Sequence, residues 1–90
     1  QYFDGADVNN SVISNGCLIE GCVENSVIGR GCQIKKGAVV KNCVVLANTT
    51  IGEDVHVENQ VIDKWVQITK EREIVADIEH PGYIRRDDIL

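Results

Sequence analysis

The sequence predicts an all-β chain whose short parallel strands wind into a coil with three flat sides, a β-helix of hexapeptide-type repeats. The first observation is internal repetition: residues 25–41 return as residues 42–58, so that NSVI is followed 17 positions later by NCVV. The second is an aliphatic residue at about every sixth position, as at Ile28, Ile34 and Val40, which fits neither the period of a strand nor that of a helix. A fixed period is typical of a solenoid, in which each coil buries its apolar residues only against its neighbours.

Partial copies of the same phrase flank the central pair. A 15-residue copy begins at Asn10, and a fourth copy opens at Asn59 and loses the pattern after Ile68. Residues 10–68 are therefore predicted to form a parallel β-helix of about three and a half coils. The residues expected to point inward share the six-residue spacing and are Ile13, Ile19, Ile28, Ile34, Val40, Val45 or Leu46, Ile51, Val57, Ile62 and Ile68.

The predicted corners carry residues that suit tight turns. Gly, Asn and Asp recur between the inward residues, as in Gly29-Arg30-Gly31 and Gly52-Glu53-Asp54, and these residue types tolerate positive φ. Each copy also begins with an asparagine, at positions 10, 25, 42 and 59. We expect these four to stack as a structural ladder along one edge of the coil, because an asparagine side chain can satisfy a turn amide.

The two ends of the chain depart from the repeat. Residues 1–9 are predicted to be an N-terminal lead-in. Residues 69–90 contain the charged run Lys70–Glu73 and the turn His80-Pro81-Gly82, which are too irregular for another full coil. We expect this segment to cap the open end of the stack, because a solenoid must hide the apolar surface of its last coil. The chain begins with Gln1 and contains no methionine, so it is interpreted as a piece of a longer protein.

Composition excludes several classes of function. The chain has 90 residues, of which 43% are apolar, and a formal net charge of -5. That length suits one small domain, and the acidic balance disfavours nucleic acid and anionic membranes as partners. No apolar run approaches the length of a membrane span, and no signal peptide opens the sequence, so a cytoplasmic location is expected.

The four cysteines, at positions 17, 22, 32 and 43, do not have the spacing of a metal site. No Cys-x2-Cys pair occurs, as a zinc site of the common types would require. Cys17 and Cys32 each follow an inward isoleucine by four residues. We interpret all four cysteines as buried thiols, with Cys17 and Cys32 acting as small apolar residues in a narrow interior.

Neither histidine is predicted to be catalytic. His56 lies between Val55 and Val57, so strand alternation points it away from the core, and His80 lies beside a proline-glycine turn. Neither has an acidic or hydroxyl partner at a spacing that is meaningful before the fold is known. The sequence therefore yields no catalytic residue, no cofactor-binding residue and no metal ligand.

Two further predictions concern surface contacts. Arg30, Lys35 and Lys36 are a possible contact for an anion or a regulator, although a solvated corner is the simpler explanation and the coil places Arg30 and the lysines at different corners. Trp65, Tyr2 and Phe3 are a possible interface, because a corner needs only a small polar residue where Trp65 stands.

The phrases IEGCVENSVI (residues 19–28), KGAVVKNCVV (36–45) and VIDK (61–64) resemble the C-terminal left-handed β-helix of bacterial glucose-1-phosphate adenylyltransferase, the ADP-glucose pyrophosphorylase family. The cysteine-bearing coils and the tail resemble the D-type subunit of glycogen biosynthesis. The left-handed sense of the coil is implied by this resemblance alone, since crossovers between parallel strands otherwise prefer the right hand.

The resemblance implies a parent protein with an N-terminal nucleotidyltransferase domain, absent from this chain, that uses ATP and Mg²⁺ to convert glucose 1-phosphate to ADP-glucose and pyrophosphate. It also implies that the β-helix joins subunits into a homo- or hetero-oligomer, a tetramer in the parent and in some cases with a catalytic paralogue, and helps to form the site for regulators. Two alternatives stay open: a fragment of a hexapeptide-repeat acyltransferase, and a purely structural solenoid for oligomerisation.

Overall fold

The computed structural model describes all 90 residues and confirms the all-β prediction: 14 short strands and no helix. The strands are β1 (Asp7–Asn9), β2 (Val12–Ile13), β3 (Leu18–Ile19), β4 (Cys22–Glu24), β5 (Val27–Ile28), β6 (Gln33–Ile34), β7 (Val39–Lys41), β8 (Val44–Val45), β9 (Thr50–Ile51), β10 (His56–Glu58), β11 (Gln60–Ile62), β12 (Gln67–Ile68), β13 (Glu73–Val75) and β14 (Gly82–Ile84). The structure contains no helix that is long and apolar enough to span a membrane.

The strands form three parallel sheets that are the three sides of a coil. Side 1 has the order β1-β4-β7-β10-β13, side 2 the order β2-β5-β8-β11-β14, and side 3 the order β3-β6-β9-β12. Successive strands of the chain therefore lie on successive sides, and every third strand returns to the same sheet. This is the parallel β-helix that the repeat predicts. Its left-handed sense stays a prediction from the resemblance.

The core confirms the six-residue spacing. Val45, rather than Leu46, is the inward residue of β8, and of the other nine predicted residues only Ile13, in the first coil, is half-buried instead of fully buried. The buried apolar residues form one cluster: Cys17, Ile19, Val23, Ile28, Cys32, Ile34, Ala38, Val40, Cys43, Val45, Ile51, Val55, Val57, Ile62, Val66, Ile68 and Ile84. Ile13 is more exposed because its coil has a stacked neighbour on one side only.

Strands extend beyond residues 10–68 at both ends. β1 pairs with β4, so part of the lead-in belongs to side 1. β13 and β14 continue sides 1 and 2, and a bridge between Gln67 and Ile89 continues side 3, so residues 69–90 form a further coil rather than an irregular tail. The register explains why the sequence pattern is lost there. Val44 pairs with Val61, 17 positions on, whereas Val61 pairs with Tyr83, 22 positions on. The extra five residues form a turn closed by a bridge between Asp77 and His80.

The corners confirm the asparagine ladder. Asn10, Asn25, Asn42 and Asn59 all have positive φ, between 48° and 58°, at the corner between sides 1 and 2. The Asn10 side-chain amide donates to Oδ1 of Asn25, 2.5 Å away. The corner between sides 2 and 3 repeats the same conformation at Gly16, Gly31, Asn48, Trp65 and Asp87.

Candidate assembly surface

A column of apolar residues runs along the outside of side 2. Val12, Val27, Val44 and Val61 occupy the first outward position of successive strands, and Tyr83 occupies it in the last. All five side chains are exposed, from 63% at Val12 to 37% at Val61. We call these five residues the valine column. The in-register pairing makes it continuous, so side 2 is apolar at every rung on its solvent face as well as on its core face.

The other two sides are mixed. The outward residues of side 3 are Leu18, Gln33, Thr50 and Gln67. Side 1 has two outward columns, one with Asp7, Cys22, Val39, His56 and Glu73 and one with Asn9, Glu24, Lys41, Glu58 and Val75. A solvated sheet normally carries polar residues on its outer face, as sides 1 and 3 mostly do. A contiguous exposed apolar patch on one side only marks a contact surface.

The two ends of the valine column differ in shape. Near Val12 the side chains are short, and a shallow depression of about 430 Å³ is lined by Asn10, Ser11, Val12, Asn25, Ser26 and Val27. At the other end stands Tyr83, whose hydroxyl donates a hydrogen bond to Oδ2 of Asp63 at 2.5 Å. That bond lowers the pKa of the Asp63 carboxyl and raises the pKa of the Tyr83 hydroxyl. It fixes the ring on the outer surface of side 2.

Trp65 lies at the rim of this surface in a strained conformation. Its φ is 62°, at a corner where the other coils have Gly16, Gly31, Asn48 and Asp87. Its side chain is 56% exposed. Positive φ in a bulky residue is an outlier that costs of order 1–3 kcal/mol. Burial of the side chain does not offset this cost in the isolated chain, which supports the prediction that Trp65 has a contact role.

The basic residues do not converge on one site. Arg30 lies at the corner between sides 2 and 3, whereas Lys35 and Lys36 follow β6 at the corner between sides 3 and 1. Lys36 lines a depression with Asp4, Glu20, Glu53 and Asp54, and Lys35 lines a different one with Thr50, Thr69, Glu53 and Arg72. The carboxylates around Lys36 make that corner a poor place for an anion. Contact with an anion or a regulator stays a prediction.

The lead-in residues Tyr2 and Phe3 lie at the N-terminal end of side 3. Tyr2 forms a bridge to Ile19, and the Phe3 amide donates to the Ile19 carbonyl. Their side chains are exposed. They are therefore far along the stack from Trp65 and do not form one patch with it, and their role in an interface stays a prediction.

His56 forms a side-chain pair with Glu58 that the sequence analysis did not predict. His56 Nε2 lies 3.0 Å from Oε1 of Glu58, because residues two apart on a strand share a face. The half-buried thiol of Cys22 lies in the same outward column but two rungs away, about 10 Å, since strands are spaced at about 4.8 Å. That separation is too long for a cysteine–histidine pair, which needs about 3 Å. His80 is an exposed residue of the turn in the last coil.

The cysteines are placed by hydrogen bonds as well as by size. Cys17 Sγ donates to the Gly29 carbonyl and Cys32 Sγ to the Leu46 carbonyl, at 3.1 and 3.0 Å, and Thr49 Oγ1 does the same to Asp63 at 2.8 Å. Each donor thus reaches a carbonyl of the next coil. Cys17, Cys32 and Cys43 are buried, as interpreted from the sequence, whereas Cys22 is only half-buried because Val23 is the inward residue of β4. Burial raises the pKa of the Cys32 and Cys43 thiols.

Sequence reasoning also missed the valine column, although a signal was present. In the first four copies the residue before the inward residue of side 2 is valine: Val12, Val27, Val44 and Val61. Alternation places that residue outside. An outward position that is apolar in every copy is unusual, and it is visible only once the copies are aligned by coil.

Comparison with known proteins agrees with this architecture. A family model described as "GlmU-like, C-terminal hexapeptide" matches residues 4–83. A glucose-1-phosphate adenylyltransferase of Rhodopirellula baltica is 37% identical over 70 residues, which are 77% of this chain and 16% of that protein. The glycogen biosynthesis protein GlgD of Bacillus subtilis is 38% identical over 86 residues, 96% of this chain and 25% of that protein. The chain thus spans a quarter or less of these relatives. No solved structure matches it significantly.

Proposed function

Because the chain belongs to the family of GlmU-like C-terminal hexapeptide domains, we propose that it is the assembly and regulatory domain of a glucose-1-phosphate adenylyltransferase-type protein of glycogen biosynthesis. In this proposal the whole protein is a cytoplasmic nucleotidyltransferase, or the modulator of one. The parent reaction converts ATP and glucose 1-phosphate, with Mg²⁺, to ADP-glucose and pyrophosphate. The β-helix itself supplies no reacting group.

The observation that carries the proposal is how much of the chain aligns with glucose-1-phosphate adenylyltransferases and with GlgD. The GlgD match covers 96% of the chain, which leaves about four residues outside it, so it includes most of the last coil with its inserted turn. The adenylyltransferase match from Rhodopirellula baltica covers 77% of the chain. This difference in coverage supports the D-type subunit over the catalytic subunit as the parent.

The geometry supports an assembly role. One common phosphate-binding element for nucleotides, a glycine-rich loop before a helix N-terminus, does not occur in this chain, which has no helix. Its outer surface instead offers a flat apolar side, and exposed apolar patches of this kind mark surfaces for association. We expect regulation to act through the same surface. A regulator that binds the assembled and dissociated forms with different affinities shifts the equilibrium between them.

The test uses the whole protein that carries this segment. It is purified alone and together with a glucose-1-phosphate adenylyltransferase, and ADP-glucose formation and sedimentation are measured. We expect the protein either to form ADP-glucose or to change the rate of its partner, and we expect deletion of the segment to lower the oligomeric state. A protein that neither forms ADP-glucose nor changes the partner's rate would overturn the proposal.

A further inference from the structure

We infer that two copies of this chain pack side 2 against side 2, with their coil axes antiparallel and a two-fold axis along β8 through Val44. The inference rests on the proposed assembly function and deepens it, because it names the surface, the partner and the orientation. The partner is a second copy of the same chain. The following observations carry each part.

The size of side 2 is sufficient for a specific interface. A standard interface takes about a tenth of the surface of a small protein. That is roughly 530 Å² per copy here, since the chain exposes 5322 Å² in total. The stack has principal extents of 31 × 24 × 21 Å, so one of its three sides offers an area of this order. The two copies together would bury about 1,000 Å², the lower end of specific association.

The chemistry of side 2 favours a second copy as the partner. The valine column carries no charge, so two copies meet without a repelled or unpaired buried charge. Next to it, at the edge with side 3, run Ser14, Gly29, Leu46, Asp63 and Arg85. The apolar Leu46 is central in this second row, and the charged residues lie toward one end. An apolar centre with a polar rim is the usual anatomy of an interface.

The shape of the column selects the antiparallel orientation. Its five rungs, one per coil, are numbered 1 to 5 from Val12 in β2 to Tyr83 in β14, with Val44 in the middle. A two-fold axis at Val44 therefore relates coil 1 to coil 5 and coil 2 to coil 4. Tyr83 of one copy then faces the depression around Val12 of the other, and Val27 faces Val61. In the parallel alternative, Tyr83 of one copy meets Tyr83 of the other. The two depressions then face each other, which leaves a wedge-shaped gap. Well-packed interfaces exclude such gaps.

The same axis gives Trp65 a partner. It sets the corner of coil 2 against the corner of coil 4, so that Arg30 of one copy faces Trp65 of the other. A guanidinium over an indole ring is a favourable pair, and the charges of Asp63 and Lys64 beside Trp65 offset each other. Trp65 would thus be an exposed, strained residue in the single chain and a rim contact in the pair.

The first test compares two substitutions at matched exposure. Val44 on side 2 is 39% exposed and Leu18 on side 3 is 38% exposed. The 90-residue chain, Val44→Glu and Leu18→Glu are sedimented from about 1 to 100 μM, with circular dichroism as the check on folding. We expect the unchanged chain and Leu18→Glu to dimerise, and Val44→Glu to dissociate at least about a hundredfold more readily, since it buries two like charges on the axis.

Three outcomes overturn the inference: a monomeric unchanged chain, a Val44→Glu variant that dimerises as well as the parent, or equal weakening by Leu18→Glu. None of these decides the proposed function, because ADP-glucose formation by the whole protein is measured separately. If Val44→Glu loses its circular dichroism signal, Val27→Lys on the neighbouring rung takes its place with the same expectation.

The second test fixes the orientation. Val44→Cys lies on the axis, so two copies should form a disulfide on mild oxidation. Val12→Cys should not form a disulfide, because four coil spacings, about 19 Å, separate position 12 of one copy from position 12 of the other. A disulfide needs Cα atoms within about 7 Å. The double variant Val12→Cys with Tyr83→Cys should crosslink again. Both single variants carry Cys22→Ser to remove the most accessible native thiol. Crosslinking of Val12→Cys alone would establish the parallel arrangement and overturn ours.

Discussion

The inner and outer faces of side 2 carry similar residue types but have different roles. Inside, Ile13, Ile28, Val45, Ile62 and Ile84 stack in the core, and outside, Val12, Val27, Val44, Val61 and Tyr83 stack toward solvent. Both columns are β-branched except at the tyrosine, and both repeat with every coil. The inner column holds the chain together because it removes apolar area from water within one molecule. The outer column, still 37–63% exposed, gains the rest of that effect only when another surface covers it.

This comparison shows that composition does not distinguish a core residue from a contact residue. Val27 and Ile28 are neighbours in sequence and similar in chemistry, yet Ile28 is fully buried and Val27 is 46% exposed. The alternation of a strand separates them. The inner column should therefore control folding, and the outer column should control association. If substitutions in the two columns had the same effects on folding and on association, this distinction would be wrong.

The largest expected effect separates these neighbours directly. Ile28→Ala should lower the free energy of unfolding by about 2–5 kcal/mol, because it leaves a cavity between stacked coils. Val27→Ala should change it by only about 0.5 kcal/mol, measured at a concentration where the chain is monomeric. Urea denaturation followed by circular dichroism measures both. Similar losses at the two positions would contradict the assignment of inner and outer faces.

A second comparison uses the cysteines as probes of the interior. Cys17, Cys32 and Cys43 are buried, and burial raises the pKa of the latter two thiols, so less reactive thiolate is present. Cys22, on the outside of side 1, is half-buried. We expect Cys22 to react with iodoacetamide at least about ten times faster than the other three in the folded chain. Mass spectrometry of the labelled peptides measures this, and equal rates in urea serve as the control. Rapid native labelling of Cys32 would contradict its burial.

The inner column was predictable from the sequence, and most of the outer surface was not. Ile28, Ile34 and Ile51 repeat because a core position accepts few residue types, and that restriction is what makes the period visible. The asparagine ladder was predictable for the same reason, since few residues adopt positive φ. The signal is strongest where structure limits the choice of residue most.

The last coil shows how that signal is lost. Its strands pair in register with the coil before, but five extra residues around Ile78 shift side 2 to a spacing of 22. A period read from the sequence does not survive an insertion of that length, although the hydrogen-bonded sheet does. The repeat placed Trp65 at a corner, but its positive φ could not be predicted, because a bulky residue is the last choice for that conformation. Only the backbone shows that it matches Gly31.

Trp65 offers a prediction of smaller size. Trp65→Asn should stabilise the monomeric chain by about 0.5–1 kcal/mol, because asparagine adopts positive φ at lower cost. Asn48 shows that the preceding coil already accepts asparagine at this corner. The same variant should weaken self-association if Trp65 is a rim contact. Thermal unfolding at low concentration and sedimentation at high concentration measure the two effects, and opposite signs are expected. A loss of monomer stability would mean that Trp65 packs on its own chain.

The smallest effect comes from the one hydrogen bond on the outer face of side 2. The Tyr83 hydroxyl lowers the pKa of Asp63, and the Asp63 carboxylate raises the pKa of Tyr83. A lowered carboxyl pKa stabilises the fold above the ordinary carboxyl range and is lost as pH falls through the folded pKa of Asp63. A raised phenol pKa stabilises the fold below the ordinary phenol range and is lost as pH rises through the folded pKa of Tyr83. The bond is therefore complete between about pH 5 and pH 9.

Tyr83→Phe should lower the urea midpoint slightly and by a constant amount in this window, and the difference from the unchanged chain should shrink at pH 3 and at pH 11. Because phenylalanine keeps the ring in the valine column, self-association at pH 7 should survive the substitution. A difference that persists unchanged at pH 3 would show that the Tyr83 hydroxyl stabilises the fold without the ionised carboxylate of Asp63, and would contradict this account.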